Sequence, residues 1–165
     1  GTLLVEDRSG FLGYIHDYDW KYLRTQTVLA PGPIRSTEPT WGGKGAWYIV
    51  DPWELRHAVV VEATPNIAHP LYSRRVIYID VQTSLPLYAF AYDHAGNHKR
   101  TFLLTARHPG FNPWDNKEWV AQIAAQASID YQLERANNFQ ITKILLNRAL
   151  SPSQFTVMAL MLRGK

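Results

Sequence analysis

The side chains of this sequence able to do chemistry are spaced in ways that restrict them. His94 and His98 stand four apart, yet Ala95-Gly96-Asn97 between them reads as a turn, so they share no helix face and do not form a metal pair. The G-x-S-x-G, H-E-x-x-H and G-x-x-x-x-G-K-[ST] signatures are absent, and Gly43-Lys44-Gly45 lacks the third glycine and following helix of a dinucleotide fold. With no cysteine, disulfides, thiolate metal sites and thiol redox chemistry are excluded. Asp80 and Asp93 each close a predicted strand, where turn bonding explains a carboxylate without catalysis. Glu62, beside Val59, Val60 and Val61, is a general base if buried and an outward-facing strand residue otherwise; the second reading is preferred. Arg74-Arg75 and Lys99-Arg100, with nearby tyrosines, resemble a weak nucleic-acid footprint, but strand alternation sends the members of each pair to opposite faces. The reading therefore assigns no catalytic residue, no metal ligand, no cofactor and no nucleic-acid partner.

What remains is apolar. The 165 residues are 46% hydrophobic and 19% charged with a net charge of +3, the composition of one globular domain over 1–165. Six Trp, nine Tyr and six Phe exceed what a core of this size usually demands, so some are expected to line a binding surface. No stretch reaches the roughly 18 apolar residues of a membrane span, and Gly1-Thr2-Leu3-Leu4-Val5 runs at once into Glu6 and Asp7, which is neither signal peptide nor anchor.

Four strands are predicted in the middle of the chain, over 57–64, 73–80, 86–93 and 98–106. Their short connections require an antiparallel meander. Both faces of these strands carry apolar side chains, so the second face must also be covered, by helices, a loop or a ligand. Ahead of them come a turn of helix, a strand through Thr25–Leu29 and a long Pro- and Gly-rich loop over 31–53, whose Trp41, Trp47, Tyr48 and Trp53 are candidate partner contacts. Asp115 with Glu118 fits a capping box, and Trp119, Val120, Ile123, Ala124 and Ala127 recur at helical spacing, which predicts a helix over 116–127. Asn137-Asn138 predicts a hairpin between strands at 129–133 and 139–144. Ser151-Pro152-Ser153-Gln154 opens a closing helix, stopped by Gly164, that presents Phe155, Met158, Ala159 and Leu162 to a core.

Three motifs occur in succession: Glu62-Ala63-Thr64, Arg74-Arg75-x-x-Tyr78-x-Asp80 and Tyr92-Asp93-x-x-Gly96. Together with Tyr18-Asp19-Trp20-Lys21 ahead of them, they resemble the C-terminal part of the proteobacterial domain of unknown function 1329 family, over most of the chain. The resemblance implies a mainly β (α+β) fold like the LolA and LolB carriers: a curved antiparallel sheet or half-barrel of about seven to eight strands with two short helices. It also implies a periplasmic or outer-membrane-associated protein, an RND-type transporter as an associated partner, and an N-terminal part upstream of residue 1 that helps close the half-barrel. The family offers no catalytic residues to carry over.

Residues and resemblance converge on a non-enzymatic binder of a lipid or other hydrophobic molecule. Each methylene moved from water into an apolar hollow contributes about 0.8 kcal/mol, so burial alone can hold a chain. Val59, Val61, Ile77, Ile79, Tyr88, Phe90, Phe102 and Leu104 are the candidate wall. The alternative is a structural or interaction subunit that docks on an envelope assembly through the aromatic loop.

Overall fold

A computed structural model describes residues 4–69, 71–111, 121–144 and 149–163. Nine strands are present among them: β1 (Tyr18–Pro31), β2 (Trp41–Gly42), β3 (Tyr48–Ile49), β4 (Trp53–Pro65), β5 (Arg74–Asp80), β6 (Pro86–Tyr92), β7 (His98–Arg107), β8 (Gln122–Asp130) and β9 (Arg135–Gln140). Seven build one curved antiparallel sheet in the order β1-β4-β5-β6-β7-β8-β9, and β2 pairs with β3 in a separate ribbon. The predicted meander is β4 to β7. Short connections such as Val81–Leu85 and Asp93–Asn97 make each of these strands pair antiparallel with the one that follows it. Register shifts at Tyr22/Arg24, Tyr78/Ile79, Ala91/Tyr92 and Thr105/Ala106 insert bulges, which bend strands and increase their twist.

Pairing register sorts the side chains onto two faces. One, here the plug face, carries Val61, Ile77, Ala89, Ala91, Phe102 and Leu104, and a 3₁₀ segment, Val5–Gly10, lies across it with Leu4 and Phe11 packed into the same cluster. The other, the aromatic face, carries Tyr78, Tyr88, Phe90 and Tyr92, with Ile49 of the ribbon seated on Leu103 and Ala127 at one end. Both faces are thus partly covered, as apolar residues on both sides of the strands require.

Three expectations are corrected. The helix predicted over 116–127 lies outside the described residues up to Val120, and from Gln122 onward the chain is strand β8. Ala124 through Asp130 are all buried on a strand covered on both sides, and such a run carries no clean period of two to set against a helical one. The hairpin turn sits at Tyr131–Glu134 rather than Asn137-Asn138, which fall inside β9. Asp130 nucleates that turn, its Oδ1 accepting the amides of Gln132 at 3.1 Å and Leu133 at 3.0 Å, and Glu134 closes it at φ 50°.

The closing segment does open at Ser151, whose hydroxyl accepts the Ser153 amide, with Pro152 in the first turn. It forms a 3₁₀ turn over Pro152–Phe155 and then helix α1 (Val157–Arg163), but Phe155, Met158 and Leu162 are exposed rather than packed in a core. Gly164 lies outside the described residues. No helix among the described residues is long and apolar enough to cross a membrane.

Candidate ligand-binding face

Six of the eight predicted wall residues gather on the plug face: Val59, Val61, Ile77, Ile79, Phe102 and Leu104. Phe102, Leu104 and Ile77 are buried, while Val59, Val61 and Ile79 are half-buried. Tyr88 and Phe90 point the other way. They belong to a continuous aromatic cluster, with Tyr78 edge-on to both at 5.9 and 5.6 Å, His98 5.6 Å from Phe90 and Tyr131 4.8 Å from His98. The Tyr88 hydroxyl donates to the Leu29 carbonyl, and burial with Tyr78 alongside pushes its phenol up to about 12.

The trough of the plug face is filled by the chain itself. Leu4 and Phe11 supply apolar side chains, and between them Asp7, 1% exposed, enters a polar cluster set into the apolar wall. Its carboxylate accepts from Arg75 Nη2 at 2.9 Å, Arg100 Nη1 at 3.1 Å, the Tyr72 hydroxyl at 3.1 Å and the Leu4 amide at 2.9 Å. Arg100 also donates from Nε to Asp130 at 2.8 Å, directly opposite on β8, and from Nη1 to the Tyr72 oxygen at 2.6 Å. Arg75 donates from Nη1 to the Gly10 carbonyl at 3.1 Å, while its Nε has no partner among the described residues. Gln126 completes the cluster by accepting the Gly10 amide at 3.2 Å and donating to the Asp7 carbonyl at 2.9 Å. Burial, with the Asp7 charge beside it, pushes the Tyr72 phenol well above its ordinary range.

Sequence reasoning passed over these residues because their partners lie up to 119 positions away. A signal was nevertheless present. Arg75 stands two residues before Ile77 and Arg100 two before Phe102, so strand parity puts both guanidinium groups among the wall residues.

At the mouth of the plug is a cleft of about 480 Å³ lined by Val5, Glu6, Leu12, Tyr14, Ile67 and His69, among others. His69 Nδ1 accepts the amides of Leu71 at 3.2 Å and Tyr72 at 2.9 Å, which leaves the proton on Nε2, and Nε2 donates to Glu6. Burial would raise the Glu6 carboxyl, but His69 and Arg75 outweigh it and hold the group below its usual range. Glu6 and His69 are thus paired to one another at the edge of the cleft. Deeper in the sheet, between Leu87, Leu104 and the Arg56–Asp80 ion pair, is a void of only about 20 Å³.

The other candidates resolve into structure. Glu62 pairs with Arg74 at 3.0 Å on the aromatic face, where the Arg74 guanidinium also lies 3.8 Å over the Tyr92 ring. Asp93 Oδ1 accepts the amides of Ala95 and Asn97, the expected turn role, and Asp80 does the same for Thr83 while also pairing with Arg56 at 2.6 Å. In the aromatic loop, Tyr48 and Trp53 are exposed, whereas Trp41 packs toward Ile49 and Trp47 is half-buried. Among the described residues no group of three or more acidic or histidine side chains is placed to hold a metal.

The fold is similar to that of a domain from Vibrio parahaemolyticus described as an outer membrane lipoprotein-sorting protein domain, with a TM-score of 0.59 at 13% identity over 92% of this chain and 51% of that one. A DUF1329 family protein from Desulfovibrio piger aligns at a TM-score of 0.51 and 16% identity, over 87% of this chain and 47% of that one. A LolA superfamily protein from Nitrosomonas europaea aligns at 0.49 and 16% identity, over 87% and 50%. The chain thus spans about half the length of these structures. It belongs to the family described as protein of unknown function (DUF1329), whose model matches residues 1–160. No curated protein sequence matches it.

Proposed function

We propose that this chain forms the ligand-holding part of a non-enzymatic carrier of a lipid or other hydrophobic molecule, working in the periplasm or at the outer membrane. One observation carries the reading: among the described residues, the apolar face of Val61, Ile77, Ala89, Ala91, Phe102 and Leu104 is covered by a short 3₁₀ segment rather than by a second sheet or a long helix. Among the described residues, no backbone-to-backbone hydrogen bond joins that segment to the sheet; side chains hold it in place. A guest can therefore take its place without breaking a strand pairing. Val59, Val61, Ile77, Ile79, Phe102 and Leu104 are the proposed wall. Burial of a dozen methylenes there contributes on the order of 10 kcal/mol before the cost of ordering the guest and moving the segment.

The exposed Tyr48, Val50 and Trp53 of the loop favour a second reading, a docking subunit whose partner is an envelope protein such as an RND-type transporter. Native mass spectrometry of gently purified protein, with titration of the neutral fluorophore 1-N-phenylnaphthylamine, separates the two. Retained lipid-sized mass and saturable fluorescence are expected. A ligand-free chain that neither binds the fluorophore nor copurifies with lipid, but holds a stoichiometric partner, overturns the carrier reading in favour of docking.

A further inference from the structure

The charges in the polar cluster do not balance on the sheet alone. To this cluster the strands contribute two buried guanidinium groups, Arg75 at 1% and Arg100 at 3% exposure, and one buried carboxylate, Asp130. Asp130 belongs to Arg100, which it faces across the β7–β8 pairing at 2.8 Å. Among the described residues Arg75 has no carboxylate partner on the sheet. Its anionic partners, Asp7 at 2.9 Å and Glu6 at 3.4 Å, both sit on the 3₁₀ segment. The sheet without the segment thus presents one uncompensated positive charge in the middle of an apolar wall, with the Tyr72 hydroxyl and Arg100 Nη1 beside it as further donors. A buried, unpaired guanidinium is so unfavourable that something anionic must cover it.

The covering segment itself has the chemistry of the missing guest: a carboxylate, Asp7, flanked by two apolar groups, Leu4 and Phe11, that pack against Phe102, Leu104 and their neighbours. We propose that Arg75, Arg100 and Tyr72 form the head-group site for a singly anionic, carboxylate-bearing amphiphile, and that Asp7 occupies this site as an internal stand-in until such a ligand displaces the segment. This rests on the carrier reading and adds to it the class of ligand. The guest's carboxylate takes the hydrogen bonds of the Asp7 carboxylate, and its hydrocarbon chain takes the places of Leu4 and Phe11. The planar fork of arginine suits a carboxylate in two-point contact, and the free Nε of Arg75 adds a donor that Asp7 leaves unused.

The test is displacement of 1-N-phenylnaphthylamine from this chain by dodecanoate, dodecanol and dodecyltrimethylammonium, equal in chain length and below micelle-forming concentrations. Dodecanoate is expected to displace the fluorophore at a concentration at least about tenfold lower than either of the others, the scale of a charge-assisted hydrogen bond. Asp7→Asn, which weakens the internal competitor and keeps both arginines, should tighten dodecanoate several-fold with little change for dodecanol. Arg75→Gln should bring the three compounds level. Acetate and inorganic phosphate should displace nothing, which separates an amphiphile site from a site for free anions. If all three amphiphiles bind equally and Asp7→Asn changes none, the head-group site is wrong while the carrier reading stands. Tight binding of acetate or phosphate overturns the amphiphile assignment, and failure of the fluorophore and every amphiphile to bind removes both proposals.

Discussion

Asp80 and Asp130 hold similar positions, each a buried carboxylate at the end of a strand facing one arginine and capping the turn that follows. For both, burial pushes the carboxyl up. For Asp80 the Arg56 and Thr83 hydrogen bonds outweigh it, and for Asp130 the Arg100 pair and the Leu133 amide do, so both are held below the ordinary carboxylate range. Glu6 shifts the same way. A group with a lowered value in the folded chain binds fewer protons there than when unfolded, so its contribution is complete above the unfolded value near 4 and is lost as pH falls through the folded value. Urea midpoints should therefore hold steady from pH 7 to about 5 as far as these groups decide them, and fall below about pH 4. Asp130→Asn should cost about 3 kcal/mol at pH 7 by leaving Arg100 half-paired, and should flatten that acid limb. Phe102→Ala empties the centre of the plug face and should cost about 3–5 kcal/mol in the same assay at any pH; a loss under about 1 kcal/mol would mean this core is loosely packed.

Individual elements turn on backbone conformations that only particular residues adopt. Gly10 closes the 3₁₀ segment at φ +75°, and a Cβ there would stand 3.2 Å from Ala89 Cβ and 3.4 Å from Leu104. Gly10→Ala should therefore lift the segment off the sheet at a cost of about 1–2 kcal/mol, read as faster exchange of the position-10 amide, which donates to Gln126 Oε1. Glu134 adopts φ 50° in the β8–β9 turn with an ordinary side chain. Replacing it with glycine should stabilise the hairpin by up to about 1 kcal/mol, and no gain would show that the turn relaxes elsewhere. The same turn explains why the hairpin was placed wrongly from sequence. Asn137-Asn138 is the stronger dipeptide signal, but the Asp130 side chain ties down the amides of Gln132 and Leu133 and bends the chain at Tyr131–Glu134, ahead of those asparagines. The strands of the meander were legible because β-branched runs end at Pro65-Asn66, Val81–Leu85 and Asp93–Asn97, each a local signal.

At the scale of the molecule, a run of exposed apolar groups lies on α1 and its approach. Phe155, Val157, Met158, Leu160, Met161 and Leu162 are each at least two-thirds exposed, and no described element covers them. Met158→Glu with Leu162→Glu should leave the urea midpoint within about 0.5 kcal/mol of the parent, because neither side chain is buried; a larger loss would show that α1 is docked in solution.

Sequence alone determined the antiparallel meander, the turn roles of Asp80 and Asp93, and the opposite facing of Arg74 and Arg75, since each depends on neighbours a few positions away and on the twofold alternation of a strand. Tertiary structure decided the rest. Which face is lidded, what fills it, and how Arg75 and Arg100 are neutralised depend on Asp7 meeting strands 68 and 93 residues downstream, and no local pattern encodes so distant a pairing. The packing of β8 between two covered faces likewise overrode a helical spacing of alanines, because burial on both sides erases the periodicity by which strand and helix are told apart.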